Sequence, residues 1–326
     1  PFFTFIYADL HAHMIALPIT LLVLGWVISV LLSRWNWKTP SGRTNYPGLL
    51  GSILLGGFLI GTLRPTNTWD LPTFLLFAGI VVFYSSFRYA ELPGWLFPTW
   101  ADWARRTIYS GFFVVLLAGF AILCYQPFVE KYAQAYGSID SWKGEHTRLR
   151  DYLVHWGWQF FLIISWLAWE TREWLAGTPL SAVRKWKPYL GYLQVVGALI
   201  LLVIVLLIVL GIHIGWLVGL LGIWTFLLLL RKNLPDSKRL ILFMIGTGLL
   251  LTLFVELFAL QGDIGRMNTV FKFYFQSWTL FSLSAAVCLV WLAPAVLRKW
   301  KAWVANTWQV LFVLLVFSAF LYPVTA

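Results

Sequence analysis

Charge is what this chain has least of. Of its 326 residues only 11% are Asp, Glu, Lys or Arg, while 60% are hydrophobic, and the mean hydropathy is +0.78. Those figures exclude an ordinary soluble domain and point to an all-α, polytopic integral membrane protein. Cysteine is scarce too. Cys124 and Cys288 lie in apolar runs far apart in the chain, which argues against a disulfide framework and for buried free thiols. No Walker loop, Rossmann glycine pattern, Ser-His-Asp spacing or Cys-Cys metal pair is present, so ATP-driven chemistry is disfavoured. There is no initiator Met, charged n-region or cleavage site. The chain opens within a motif and stops at LYPVTA straight after an apolar run. It is therefore expected to be a segment of a longer protein, lacking residues at both ends. With no fixed-period repeat and no low-complexity linker, residues 1–326 are expected to form a single polytopic transmembrane domain.

What is present is apolar length. A bilayer core of roughly 30 Å needs about 20 apolar residues per helix. About ten runs qualify: 14–33, 47–63, 71–88, 108–126, 153–171, 189–210, 213–230, 240–260, 274–297 and 303–322. The second contains GSILLGGFLIG, whose small residues suit close helix packing. The sixth has no polar side chain after Gln194 and is expected to face lipid. Sixth and seventh should form a tight hairpin around Gly211 to Gly215.

Basic residues set the expected orientation. The even-side loops carry 17 of the 24 Lys and Arg residues, in five clusters that begin at Arg34, Arg88, Arg172, Arg231 and Arg298. That side is expected to be cytoplasmic, in a plasma membrane, with both ends of the segment on the other side. The net charge of +11 is then topology and lipid-headgroup attraction, and no nucleic-acid partner is implied. The opposite side collects Asp9, Asp70, Glu130, Asp140, Glu145, Asp151, Glu256 and Asp263, with all five histidines on or near it. Exclusion of Lys and Arg accounts for part of the carboxylates and leaves the histidines unexplained. Tryptophans, 21 in all, sit mostly at run ends, and Glu91–Arg106 is read as an aromatic, basic segment in the interface.

Three motifs on the acidic side carry candidate chemistry. In Asp9-Leu-His11-Ala-His13, a carboxylate and two imidazoles can ligate a divalent metal or form a supported base. In an extended segment all three share a face; in a helix only Asp9 and His13 do. The competing account is a capped helix start that bonds a neighbouring loop. Arg64-Pro-Thr-Asn67-Thr-Trp69-Asp70-Leu-Pro72 is a short stiff loop, in which Asn67 or Thr68 suits a cap of the next helix equally well. Asp70 at that helix entry also suits the dipole alone. The third motif is Glu256 followed by Gln261-Gly-Asp263-Ile-Gly-Arg266-Met-Asn268-Thr-Val-Phe-Lys272-Phe-Tyr274. An ionisable group inside an apolar run needs a cavity or a partner. Arg266 and Lys272 suit a phosphate or diphosphate, or else they neutralise Asp263 and Glu256 as ion pairs. The long loop Pro127–Tyr152, with Glu145, His146, Arg148, Arg150 and Asp151 and with His155 just beyond it, reads as solvated and partly helical, with substrate contact the less favoured alternative.

FFTFIYADLHAHMIALP, RPTNTWDLPT and GDIGRMNTVFKFY together resemble the Chlor_Arch_YYY family of bacterial and archaeal membrane proteins, from Pro1 to about Tyr274. The resemblance implies a GT-C-like bundle: integral membrane glycosyltransferases that use lipid-phosphate-linked sugars. An Asp-x-Asp or Asp-Glu pair in the first outer segment, common in that superfamily, is absent here.

The resulting expectation is a glycosyltransferase segment acting at the non-cytoplasmic face on a lipid-linked sugar donor. Asp9 is the expected general base, with His11 and His13 orienting it or holding a divalent cation, for which these three are the candidate ligands. Arg266 and Lys272 would take the leaving phosphate. Arg64, Asn67, Asp70, Glu256, Asp263 and Asn268 complete the expected substrate site. Membrane lipids are expected partners, and partner membrane subunits are candidates. The alternatives are a non-catalytic subunit of a membrane assembly, a transporter, or a metal-dependent hydrolase of lipid phosphates.

Overall fold

A computed structural model describes residues 11–42, 44–132, 138–179, 181, 187–263 and 265–325. Lipid offers no partner to backbone N–H and C=O groups, so apolar runs of this length are forced into helices. All ten runs are helical. Contacts divide the chain into two compact units, Phe3–Gly137 and Ser138–Ala326.

The first unit contains α1 (Ala12–Leu32), α2 (Tyr46–Gly61), the single turn α3 (Leu63–Thr66), α4 (Asp70–Tyr89), α5 (Asp102–Leu123) and the short α6 (Gln126–Lys131). The glycines of α2 let its neighbours approach, as small residues do in membrane helices. A Cβ on Gly56 would lie 2.2 Å from the Trp26 ring of α1, and one on Gly57 would lie 2.9 Å from the Leu117 carbonyl of α5. Trp26 also donates its indole N–H to Ser52 O at 3.0 Å. At the far end of α4, Arg106 donates to the Phe87 and Ala90 carbonyls at 3.0 and 3.2 Å. It thereby satisfies carbonyls that the helix terminus leaves open. The intervening segment presents Trp95, Trp100 and Trp103, all exposed, as an interfacial anchor requires.

The second unit contains β1 (Ile139–Ser141), α7 (Leu149–Ala176), α8 (Leu190–Val209), α9 (Gly215–Leu229), α10 (Asp236–Leu257), β2 (Phe258–Leu260), α11 (Met267–Arg298) and α12 (Ala302–Thr325). Helix α11 packs on both α10 and α7. Its Phe281 fills the space beside Gly248 of α10, and Tyr152 of α7 bonds Thr252 of α10 at 2.9 Å. The sixth run, α8, is exposed along almost its whole length and turns sharply into α9, as its composition implies. A two-stranded antiparallel ribbon pairs Ile139 with Leu260, Asp140 with Ala259 and Ser141 with Phe258.

Among the described residues, eight helices are long and apolar enough to cross a membrane. Of the other two, α9 has 15 residues, and α7 carries polar and aromatic groups such as His155, Gln159 and Glu170 along its 28 residues. One expectation needs correction. Neither Asn67 nor Thr68 caps α4: the residue before the helix is Trp69, with no side-chain cap bond, and the Thr68 hydroxyl donates back to Arg64 O at 3.0 Å.

Candidate functional site at the Glu256 end of the second unit

Glu256 is the last charged group of α10, and its side chain has no exposed surface. An isolated ionised carboxylate there would cost several kcal/mol, so it must be paired and hydrogen-bonded. The donors come from two places. Thr147, 109 residues earlier, gives its backbone N–H at 3.0 Å and its hydroxyl at 2.6 Å. Arg266, ten residues later, gives Nη1 at 2.8 Å, and this nitrogen also bonds Val255 O at 2.7 Å. A second guanidinium nitrogen reaches Thr147 Oγ1 at 3.1 Å. The guanidinium lies 5.4 Å from the Trp142 ring centroid, where the cation meets the negative face of the indole.

The β1–β2 ribbon is what brings these groups together. It ties the loop before α7 to the turn after α10, and Trp142 N–H extends it by donating to Leu257 O at 2.8 Å. Beyond β2 the chain reverses through Gly262 (φ +82°) and Gly265 (φ +63°). These are left-handed positions that a residue with a Cβ rarely adopts, and they aim Arg266 back at Glu256.

Three buried polar atoms around this pair lack a hydrogen bond of full geometry: His146 Nδ1, Trp156 Nε1 and the Tyr274 hydroxyl. His146 Nδ1 stands 3.3 Å from Glu256 Oε2, at ion-pair distance though not aligned as a hydrogen bond, and its ring keeps 17% exposure. Tyr274 packs edge-on to Trp156 at 5.2 Å, and His155 sits 4.4 Å from the same indole. The arrangement pairs the buried carboxylate with a guanidinium and sets an imidazole beside it.

Asp263 has a different part. Its carboxylate accepts from Asn268 N and Nδ2 at 3.2 and 3.1 Å, and from Thr269 N and Oγ1 at 2.8 and 2.7 Å. It therefore holds the first turn of α11. Burial raises its pKa, but the bonds from Thr269 and Asn268 outweigh that and hold the carboxyl below its usual range. Lys272 lies half-buried on α11.

Glu256, Asp263, Arg266, Asn268 and Lys272 thus belong to the second unit, and Arg266 is the ion-pair partner of Glu256. The first unit holds His11, His13, Arg64, Asn67 and Asp70. Asn67 and Asp70 are buried there. Asp9 lies outside the described residues. The His11 and His13 rings meet edge to face, 5.4 Å between centroids. The extended geometry that would align three side chains stops at His11, because α1 begins at Ala12. No group of three metal-ligating side chains is found among the described residues. Sequence reading gave Thr147 and Trp142 no part and left His146 in a solvated loop. The one signal that reaches them is the demand of a buried Glu256 for donors.

At the other end of this unit a second buried carboxylate, Glu170 of α7, is met by Lys238 and by Arg231 at 3.2 Å. Long apolar helices with the buried Glu170 and Glu256 held by ion pairs at opposite ends of the unit define a polytopic α-helical integral membrane protein. Within that class, the chain belongs to the family described as uncharacterized membrane protein (DUF2298), whose model matches residues 1–281. No curated protein and no solved structure matches it.

Proposed function

We propose that the chain is the membrane-embedded part of a GT-C-like glycosyltransferase, which moves a sugar from a lipid-phosphate carrier to an acceptor hydroxyl at the non-cytoplasmic face of the plasma membrane. The observation that carries this reading is His146 set 3.3 Å from the buried Glu256 carboxylate. A carboxylate behind one imidazole nitrogen fixes the tautomer and leaves the other nitrogen to take a proton. Apo geometry at such contacts is often loose and tightens with substrate bound.

In the proposed reaction the bond between the anomeric carbon and the phosphate oxygen breaks. The acceptor oxygen bonds that carbon, its proton passes to the base, and the lipid phosphate leaves with the bonding pair. Arg266 is the ion-pair partner of Glu256 and bonds Thr147, and Lys272 is the cation assigned to the leaving phosphate. Asp9 is the second candidate base. Arg64, Asn67 and Asp70 of the first unit and Asn268 of the second are each proposed sugar contacts, and Asp263 holds Asn268 at the α11 turn. Asp9, His11 and His13 are the proposed ligands of a divalent ion, whose contribution would be to neutralise phosphate charge.

The test uses the protein in nanodiscs with a radiolabelled polyprenyl-phosphate hexose and a short-chain alcohol acceptor. Release of polyprenyl phosphate should fall about 100-fold or more in His146→Gln with the thermal midpoint retained. Asp9→Asn should also lose transfer. If the wild type releases no more than protein-free nanodiscs, the reading fails.

A non-catalytic subunit of a membrane assembly is the second reading. The nearly complete exposure of α8 and α12 favours it, since partner helices could cover both.

A further inference from the structure

We infer that the loop between α1 and α2 forms a binding site for a phosphate group, presented by an anionic lipid headgroup. The inference stands on the first unit alone and does not depend on the glycosyltransferase reading. A cavity of about 180 Å³ opens there, lined by Arg34, Trp35, Trp37, Lys38, Tyr89 and Glu91 among others. That is several times the roughly 30 Å³ a water molecule takes up in the liquid, and it suits a phosphate.

The lining is rich in donors. Arg34 approaches the Tyr89 ring face at 6.0 Å. Arg88 flanks the same tyrosine and donates Nε–H to its hydroxyl at 2.9 Å. Lys38 reaches Glu91 at 2.7 Å, in a pair well exposed on both sides. Such a pair is weak and readily exchanged. Trp35 and Trp37 add two indole N–H groups, which can only donate. Both Nε1 atoms are buried; Tyr109 interacts with the Trp35 indole, but neither N–H makes a hydrogen bond of full geometry among the described residues. A buried donor left unmade is costly, and an anion oxygen in the cavity would complete the Trp37 N–H.

The backbone carries a second, independent mark. Arg34 and Trp35 are consecutive left-handed residues, φ +48° and +57°, a conformation that residues with a Cβ avoid. Strain of this kind gathers at ligand-binding positions. Here it turns the Trp35 ring inward against Phe113, 5.1 Å between centroids, while Arg34 stays at the surface. Guanidinium, ammonium and indole donors around one small cavity, with one carboxylate already paired, select an anion. The cavity sits at the end of two apolar helices, and that is where lipid phosphates lie.

The full chain in phosphatidylcholine nanodiscs is titrated with phosphatidylglycerol, and retained lipid is counted by native mass spectrometry. One phosphatidylglycerol should be retained, roughly tenfold more tightly than phosphatidylcholine. Lys38→Gln and Trp37→Phe should each lower retention several-fold, and the second change removes the N–H donor while keeping an aromatic ring in place. Inorganic phosphate as competitor separates the sources. Failure to displace the lipid identifies a headgroup site, whereas displacement together with binding of phosphate alone overturns the lipid assignment. Equal retention of both lipids, or retention unchanged in both variants at an unchanged thermal midpoint, overturns the site.

Discussion

A carboxylate buried at the end of a membrane helix has to be surrounded by donors, and Glu256 is surrounded from both directions of the chain. Removing one partner of such a pair typically costs about 3–5 kcal/mol. Changes at Glu256 or Arg266 therefore report stability before chemistry, and His146 at the edge of the cluster is the better probe. Asp263 gives a cleaner single-residue test. Its folded pKa lies below the unfolded value, near 3.8, so its contribution is complete above that value. It is lost as pH falls through the lower, folded one. Asp263→Ala should cost about 1 kcal/mol at neutral pH, as loss of a capping side chain does. Tryptophan-monitored melting in detergent should show the gap between wild type and variant closing as the pH drops below about 4.

At the scale of the helix, position along α2 decides the effect of one methyl group. Gly56→Ala forces a Cβ into the Trp26 ring and should destabilise by about 1–3 kcal/mol. A Cβ on Gly51 meets nothing within 4 Å, so Gly51→Ala should be neutral or stabilising by up to about 1 kcal/mol. Thermal midpoints of the two variants side by side decide this, and equal shifts would contradict the packing described. The ten helices were legible in the sequence because lipid leaves an apolar run no other backbone solution. The Gly-rich face of α2 was legible for the same reason. The β1–β2 ribbon was not: three-residue strands show no alternation, and the partners are separated by the four helices α7 to α10. Thr147 and His146 were hidden with it, since only the ribbon delivers them. Asp263 looked like a ligand because an acidic residue beside Arg266 and Asn268 fits a cap and a binding site equally well. The cap expected at Asn67 failed because the chain takes an extra turn, α3, before α4 begins.

For the whole molecule, the proposed orientation is open to direct test. With Cys124 and Cys288 replaced, a cysteine at exposed His213 should react with a membrane-impermeant maleimide from outside intact cells. One at exposed Lys232 should react only after lysis. The reverse pattern would invert the orientation and move the Glu256 cluster to the cytoplasmic side. The order in which the Glu256 partners occur along the chain bears on synthesis. Thr147 precedes α7 and is made well before α10, whereas Arg266 follows Glu256 by ten residues. Glu256 thus takes one set of donors from chain made before it and its neutralising arginine from chain made ten residues after it. The ribbon and its ion pair therefore make the α10–α11 hairpin depend on the loop before α7: Glu256 has its full set of donors only when Thr147 and Arg266 are both in place.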